Sequence, residues 1–175
     1  MEIRILLSEF YNRRPEWAVI DTLVIHSMFN PFSEDLKYDP VANKELLDQY
    51  KVSAHYLIDR EGVVWKLVDE GKRAWHAGVS KMPHSGRVDV NSFSIGIELL
   101  GSKEDELTQR QYQSLVILCK DIFTRYPIKN IVGHKDIAPE RKDDPWNFNW
   151  RSFFNLAIEK GINLEGVYIS ELEEI

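Results

Sequence analysis

Short apolar segments that alternate or run without interruption dominate the pattern of hydrophobic and polar positions along this chain. Residues 21–26 and 130–133 are apolar, β-branched runs typical of buried strands, and residues 92–100 alternate between apolar and small or polar positions. Residues 53–58 and 63–68 predict two more strands. They are joined by a hairpin at 59–62, where Gly62 tolerates the positive φ that such a turn requires.

A helical period appears in the second half of the chain. Thr108 and Gln111 match a capping box at the start of a helix, an apolar stripe follows at helical spacing, and Pro127 ends it. Shorter helices are predicted over 40–50 and 150–160, with Gly161 as the stop of the second. Residues 1–21 indicate an irregular lead-in and 163–175 a peripheral acidic tail, so we expect a single α/β domain with a core of about residues 11–162.

Composition narrows the class of protein. The 22 basic and 28 acidic residues give a net charge of −6 without a basic stripe, which disfavours nucleic acid as a partner. No apolar run is long enough to span a membrane, and residues 1–10 lack the features of a signal peptide. We therefore expect a cytoplasmic protein without membrane insertion, or a periplasmic one if a leader has been removed. The single cysteine, Cys119, lies in the apolar stripe and is interpreted as a small buried hydrophobe.

Two histidines close predicted buried strands, His26 after the first apolar run and His134 after the last. One histidine at a strand end is usually a hydrogen-bonded structural residue, whereas two of them favour a metal site. A hydrolytic zinc ion takes three protein ligands and leaves one position to water, and a carboxylate near His134 could be the third. Asp144 is favoured because Pro145 fixes the backbone after it, and Asp143 is the alternative.

Water attack on an amide also needs a general base and a group that stabilises the developing oxyanion. Glu98 projects from the alternating strand on the face that carries Ser94 and Gly96, which fits the base. Lys142 lies in the loop of the candidate metal ligands, which fits the stabiliser. The alternatives are a solvent-facing glutamate and a solvated loop lysine.

Five motifs in order resemble one known family. They are V-I-H at 24–26, S-A-H-Y at 53–56, A-W-H-A-G-V-S at 74–80, S-I-G-I-E-L at 94–99 and G-H-K-D-I-A-P-E-R-K-D-D-P at 133–145. The chain from about residue 11 to 150 is similar to the zinc-dependent N-acetylmuramoyl-L-alanine amidases. It resembles most closely their AmpD-like branch, which is related to phage amidase lysozymes and peptidoglycan recognition proteins.

The resemblance implies a mixed central sheet flanked by helices. It also implies hydrolysis of the amide between N-acetylmuramic acid, or its anhydro form, and the L-alanine of peptidoglycan stem peptides. His26, His134 and Asp144 are then the zinc ligands, Glu98 is the general base, and Lys142 steadies the tetrahedral intermediate. The implied partners are muropeptides or intact murein.

The same resemblance assigns further residues around the substrate. Tyr56 matches a position near the metal and the attacking water, and Trp75 and His76 match a loop that shapes the substrate cleft. Ser27 stands where the branch often has Asn, which affects contacts to the sugar, and Arg87 is a candidate contact for a substrate carboxylate.

One departure from the family pattern concerns the loop after the metal ligands, where Trp146 stands in place of the usual Gly. The R-K-D-D-P segment also resembles envelope amidases that act on intact murein, so the choice between muropeptide and murein stays open. Two other functions remain alternatives: a non-catalytic peptidoglycan-binding module and a phage-type lytic amidase.

Overall fold

A seven-stranded sheet crosses the middle of the computed structural model, which describes residues 2–172. The described residues form the strands β1 (Ile3–Ile5), β2 (Tyr11–Arg13), β3 (Thr22–Met28), β4 (Tyr56–Ile58), β5 (Val64–Lys66), β6 (Lys72–Ala74), β7 (Ser94–Leu100), β8 (Asn130–Gly133) and β9 (Tyr168–Ile169). Of these, β2 and β6 form a separate two-stranded sheet. The helices are α1 (Pro40–Gln49), α2 (Gln109–Arg125), the single turn α3 (His134–Ile137) and α4 (Trp150–Glu159).

The order of strands in the sheet is β1-β5-β4-β7-β3-β8-β9. Only the β4–β5 hairpin is antiparallel within this sheet, and every other neighbouring pair is parallel. The predicted mixed sheet flanked by helices is therefore confirmed. Because β3, β7 and β8 are parallel neighbours, their carboxyl ends meet at one edge, where α/β proteins commonly bind ligands.

One face of the sheet packs against α2 and α4. The capping box of α2 is present, with the Thr108 Oγ1 accepting from the Gln111 N–H and the Gln111 Oε1 accepting from the Thr108 N–H. Alternate residues of the central strands meet the apolar stripes of the two helices in one cluster, which includes Leu23, Ile25, Ile95, Ile97, Leu115, Cys119, Ile122, Phe153 and Ala157. The predicted stripe of α2 and the predicted burial of Cys119 are thus confirmed, and burial raises the pKa of the Cys119 thiol to about 12.

The opposite face of the sheet is covered by loops and short elements. Val24 and Val132 pack against Ala77, Phe93 and Ile137. A second group on this face contains Leu57, Leu67, Val68, Ala74 and Leu100, with Leu47 of α1 packed against it. This face also carries His26 and Glu98, which lie side by side in the register of β3 and β7.

Both ends of the described chain are more ordered than the sequence predicted. The lead-in contains β1, which pairs with β5, and β2, which pairs with β6. Residues 168–169 form β9 at the other edge of the sheet, beside β8, while residues 173–175 of the predicted tail lie outside the described residues. These strands have two or three residues, too few for an alternating pattern to predict them. Between residues 2 and 172, no helix is long and apolar enough to cross a membrane.

Candidate active site

His26, His134 and Asp144 meet at the carboxyl edge of the sheet. His26 lies inside β3, two residues before its end, rather than at the strand terminus as predicted. His134 follows β8 directly and begins α3, and Asp144 comes from the loop that follows. Ile25 of β3 pairs with Gly133 of β8. The residues that follow them, His26 and His134, are therefore neighbours.

The three side chains form a compact group of potential metal ligands. Their ligand atoms all lie within 4.8 Å of one another. The Nδ1 atoms of His26 and His134 are 3.0 Å apart, and the Asp144 oxygens lie 3.6 Å from the first and 3.2 Å from the second. Ligands at zinc bond lengths in a tetrahedron are separated by about 3.3–3.5 Å. The donor set and its spacing therefore fit a zinc ion.

Neighbouring Asp143 and Asp144 have different surroundings. The Asp144 side chain is 9% exposed and accepts a hydrogen bond from the Ser27 N–H, whereas the Asp143 side chain is 64% exposed. Asp143 pairs with Lys103 and accepts from the Trp146 indole N–H. The structure thus places Asp144, and not Asp143, beside the histidines.

The protonation states of this group suit a cation. Burial and the nearby His134 lower the pKa of His26 to about 4, which leaves the imidazole neutral at neutral pH. Burial acts to raise the pKa of Asp144, but the neighbouring imidazoles of His134 and His26 outweigh it and hold this pKa well below its usual range. A neutral imidazole at His26 and an ionised carboxylate at Asp144 result, which are the forms in which these groups bind metals.

Glu98 lies beside His26 in the register of β7 and β3 and is buried. Its Oε2 has no hydrogen-bond partner among the described residues. Burial, with a smaller contribution from the Asp144 charge, raises the pKa of Glu98 well above its ordinary value. The solvent-facing alternative is therefore wrong, because the Glu98 side chain is buried.

These groups form the floor of a cleft of about 580 Å³, a volume typical of small-molecule sites. Glu98, His134 and Asp144 line it together with the exposed Lys142. Aromatic side chains form much of its wall, namely Phe29, Tyr50, Trp75 and Trp146. The cleft therefore has an aromatic wall and an exposed lysine above a floor of buried carboxylates.

The other residues that the resemblance assigns, four to substrate binding and Tyr56 to catalysis, divide into two groups. Trp75, His76 and Ser27 line the cleft. The Trp75 indole donates to the Asn12 Oδ1 (3.1 Å), and the Ser27 Oγ accepts from the Trp146 N–H (2.8 Å). Ser27 thus anchors the loop that carries Trp146.

Tyr56 and Arg87 lie elsewhere, so their predicted roles are wrong. Tyr56 pairs with Ile97 in the register of β4 and β7, which turns its side chain toward the helix-covered face, where its hydroxyl donates to Glu70 (2.8 Å). Arg87 forms an ion pair with Asp21 (2.7 Å) and lies over the Phe93 ring. Asp21 directly precedes β3, so Arg87 lies toward the amino-terminal edge of the sheet.

Sequence reasoning missed two residues that support the site. The buried Arg14 guanidinium donates to four backbone carbonyls, those of Glu70, Asn91, Ser92 and Ser94, and burial lowers its pKa to about 10. The Asn91 Oδ1 accepts from the His76 and Ala77 N–H groups. No sequence pattern marks either residue, because each acts on backbone distant along the chain.

The fold and this site define an α/β protein with a candidate metal centre at the carboxyl edge of a mixed sheet. The family model for N-acetylmuramoyl-L-alanine amidase (Amidase_2) matches residues 16–147, and the chain belongs to this family.

Individual relatives agree with this assignment. The 1,6-anhydro-N-acetylmuramyl-L-alanine amidase AmpD of Citrobacter freundii is 40% identical over 167 residues, which cover 87% of this chain and 88% of AmpD. A crystal structure of an AmpD derivative superposes with a TM-score of 0.73 at 39% identity, covering 89% of this chain and 94% of that one. The Escherichia coli amidase AmiD, in complex with anhydro-N-acetylmuramic acid-L-Ala-D-γ-Glu-L-Lys, gives a TM-score of 0.65 at 35% identity, covering 82% and 60%.

Proposed function

We propose that this protein is a zinc-dependent amidase that hydrolyses the bond between anhydro-N-acetylmuramic acid and the L-alanine of a stem peptide. One observation carries the proposal: two imidazoles and one carboxylate converge beside the buried Glu98, whose Oε2 has no hydrogen-bond partner among the described residues, on the floor of a cleft. The substrate class is supported by the names of the AmpD relatives and by the peptide bound in the AmiD complex.

His26, His134 and Asp144 would hold the zinc ion, with ligand atoms at separations that fit tetrahedral coordination. Zinc in such a site lowers the pKa of bound water to about 7 and polarises a carbonyl oxygen. The remaining work of proton transfer and charge stabilisation falls to the side chains of this chain.

Glu98 is assigned the proton transfers. It takes a proton from the attacking water and delivers it to the L-alanine nitrogen as the C–N bond breaks. The raised pKa of Glu98 suits the base, because it increases the affinity of the carboxylate for the proton of the water. Lys142 is assigned the stabilisation of the negative charge that develops on the carbonyl oxygen of the substrate, since this residue lines the same cleft.

The aromatic side chains of the cleft wall are assigned the binding of the substrate's sugar and lactyl groups. Trp75 and Trp146 offer flat apolar surfaces with indole N–H groups already bonded to Asn12 and Asp143. A role in recycling cell-wall fragments and a cytoplasmic location belong to the same proposal.

The test is hydrolysis of an anhydromuramoyl tripeptide, followed by chromatography and mass spectrometry of the products. We expect free tripeptide and anhydro-N-acetylmuramic acid, loss of activity on chelation, and recovery with zinc. Intact sacculi in parallel measure the preference between the two substrates. Full activity in metal-free protein would exclude the zinc mechanism, and binding without cleavage by zinc-loaded protein would favour a non-catalytic module.

A further inference from the structure

The dipeptide His76-Ala77 contacts both candidate histidine ligands on the side away from Asp144. The Nε2 of His26 lies 3.0 Å from the His76 Nδ1. The Nε2 of His134 lies 3.4 Å from the Ala77 carbonyl oxygen, a long hydrogen bond. Each histidine therefore turns Nδ1 toward the metal position and Nε2 toward this dipeptide.

The hydrogen bonds on the far side of His76 determine which ring nitrogens carry protons, and they leave the His26 Nδ1 unprotonated. The Val90 carbonyl can only accept, so the Ser94 hydroxyl donates to it (2.7 Å) and accepts from the His76 Nε2–H (3.1 Å). In the neutral ring, the His76 Nδ1 then carries a lone pair and accepts from the His26 Nε2–H. The His26 Nδ1 in turn keeps its lone pair for a metal.

The surrounding residues hold His76 in this position. The Asn91 Oδ1 accepts from the His76 N–H (3.0 Å) and from the Ala77 N–H (2.8 Å). The ring lies against Gly96, where a Cβ would come within 2.4 Å of the His76 Cγ. The small residues at 94 and 96 of β7 thus make room for this imidazole and supply its hydrogen-bond acceptor.

We propose that His76 is a positioning residue that fixes His26 as the Nε2–H tautomer and so presents Nδ1 to the metal. This inference rests on the metal site of the proposed function. Outer-shell partners of zinc-bound histidines typically contribute 10–100-fold to metal affinity. The acceptor of the His26 Nε2–H is here the His76 Nδ1, whose tautomer is fixed by Ser94, and not the more usual carboxylate or backbone carbonyl.

A matched pair of variants tests the acceptor at His76. Asn keeps an oxygen near the position of Nδ1, whereas Leu has nearly the same shape without an acceptor. Competition with a chromophoric chelator should show zinc affinity reduced about 10–100-fold in His76→Leu and by much less in His76→Asn. The control His84→Gln removes an exposed histidine outside the cleft and should bind zinc as the wild type does. Equal affinities of the Leu and Asn variants would overturn the proposal.

The tautomer itself provides a second test that does not depend on a folded His76 variant. Long-range ¹H–¹⁵N correlation spectra of the zinc-loaded wild type should place the ring protons of His26 and His76 on Nε2. In Ser94→Ala, His76 should show an increased Nδ1–H population and zinc affinity should fall by about 10-fold or less. A His76 with its proton on Nδ1 in the wild type would refute the proposal while leaving the metal site intact. A wild type that binds no zinc would refute the metal site, and this inference with it.

Discussion

Two buried glutamates on opposite faces of the sheet have contrasting surroundings. Glu70 and Glu98 are each 8% exposed. Glu70 accepts from the Tyr56 hydroxyl (2.8 Å) and from the Arg125 guanidinium at 3.0 and 2.7 Å. Glu98 has a buried oxygen with no partner in the described chain, and its nearest charged neighbours include the carboxylate of Asp144.

We interpret the contrast as one between a structural carboxylate, Glu70, and the proposed catalytic base, Glu98. A buried charge is tolerated where hydrogen bonds and a counter-ion compensate it, as they do at Glu70. At Glu98 the charge of Lys142 only partly offsets the cost of desolvation, and strongly perturbed carboxyl groups in clefts are typically functional. The same Glu-to-Gln substitution at the two positions should therefore affect different properties of the protein.

The largest effect is expected for Glu98→Gln. Loss of the base should slow hydrolysis of the anhydromuramoyl peptide by about 10²–10⁴-fold, because Gln cannot carry the proton. Zinc affinity should remain near that of the wild type, and steady-state kinetics with a zinc titration checks both. Turnover at the wild-type rate would show that another residue is the base and that Glu98, like Glu70, is not catalytic.

The aspartates at 143 and 144 repeat the contrast within one loop. Asp144→Asn should weaken zinc binding by more than the roughly 10–100-fold typical of outer-shell changes, because it removes a charged ligand. Asp143→Asn removes only exposed contacts with Lys103 and Trp146 and should leave zinc affinity unchanged. Zinc competition assays on the two variants measure this difference, and the reverse order would show that Asp143 is the ligand.

Glu70→Gln should affect stability and not catalysis. The substitution weakens the paired hydrogen bonds to Arg125, whose side chain is 37% exposed, so solvent screens part of the loss. We expect the free energy of unfolding to fall by about 1–2 kcal/mol, measured by urea denaturation, with unchanged turnover. A large loss of turnover in a stably folded variant would place Glu70 in the catalytic machinery.

The smallest effect concerns the stability of the metal-free protein as a function of pH. Because the folded-state pKa of Glu98 is raised, its neutral form stabilises the fold below the unfolded pKa of about 4.3, and this stability is lost as pH rises through the folded pKa. Glu98→Gln should therefore gain thermal stability relative to the wild type as pH rises from about 5 to 8. A difference in melting temperature that does not change with pH would mean that Glu98 titrates normally.

The sequence predicted the regular parts of the fold because their signals are local. Alternation in β7, the capping box of α2 and the apolar stripe that follows are each defined by residues within a few turns or steps. It missed β1 and β9, whose pairing is decided by neighbours distant along the chain.

For the site, the sequence by itself determined the types of the proposed ligands and their motifs, since His26, His134 and a carboxylate at 143 or 144 can be identified by residue type and context. The tertiary structure alone decided what surrounds them. The register of the strands directs Tyr56 toward Glu70, and an ion pair with Asp21 holds Arg87 outside the cleft. The His76 ring packs against Gly96. Alternation shows that neighbouring side chains point to opposite faces, but contacts across the sheet depend on how separate segments pack.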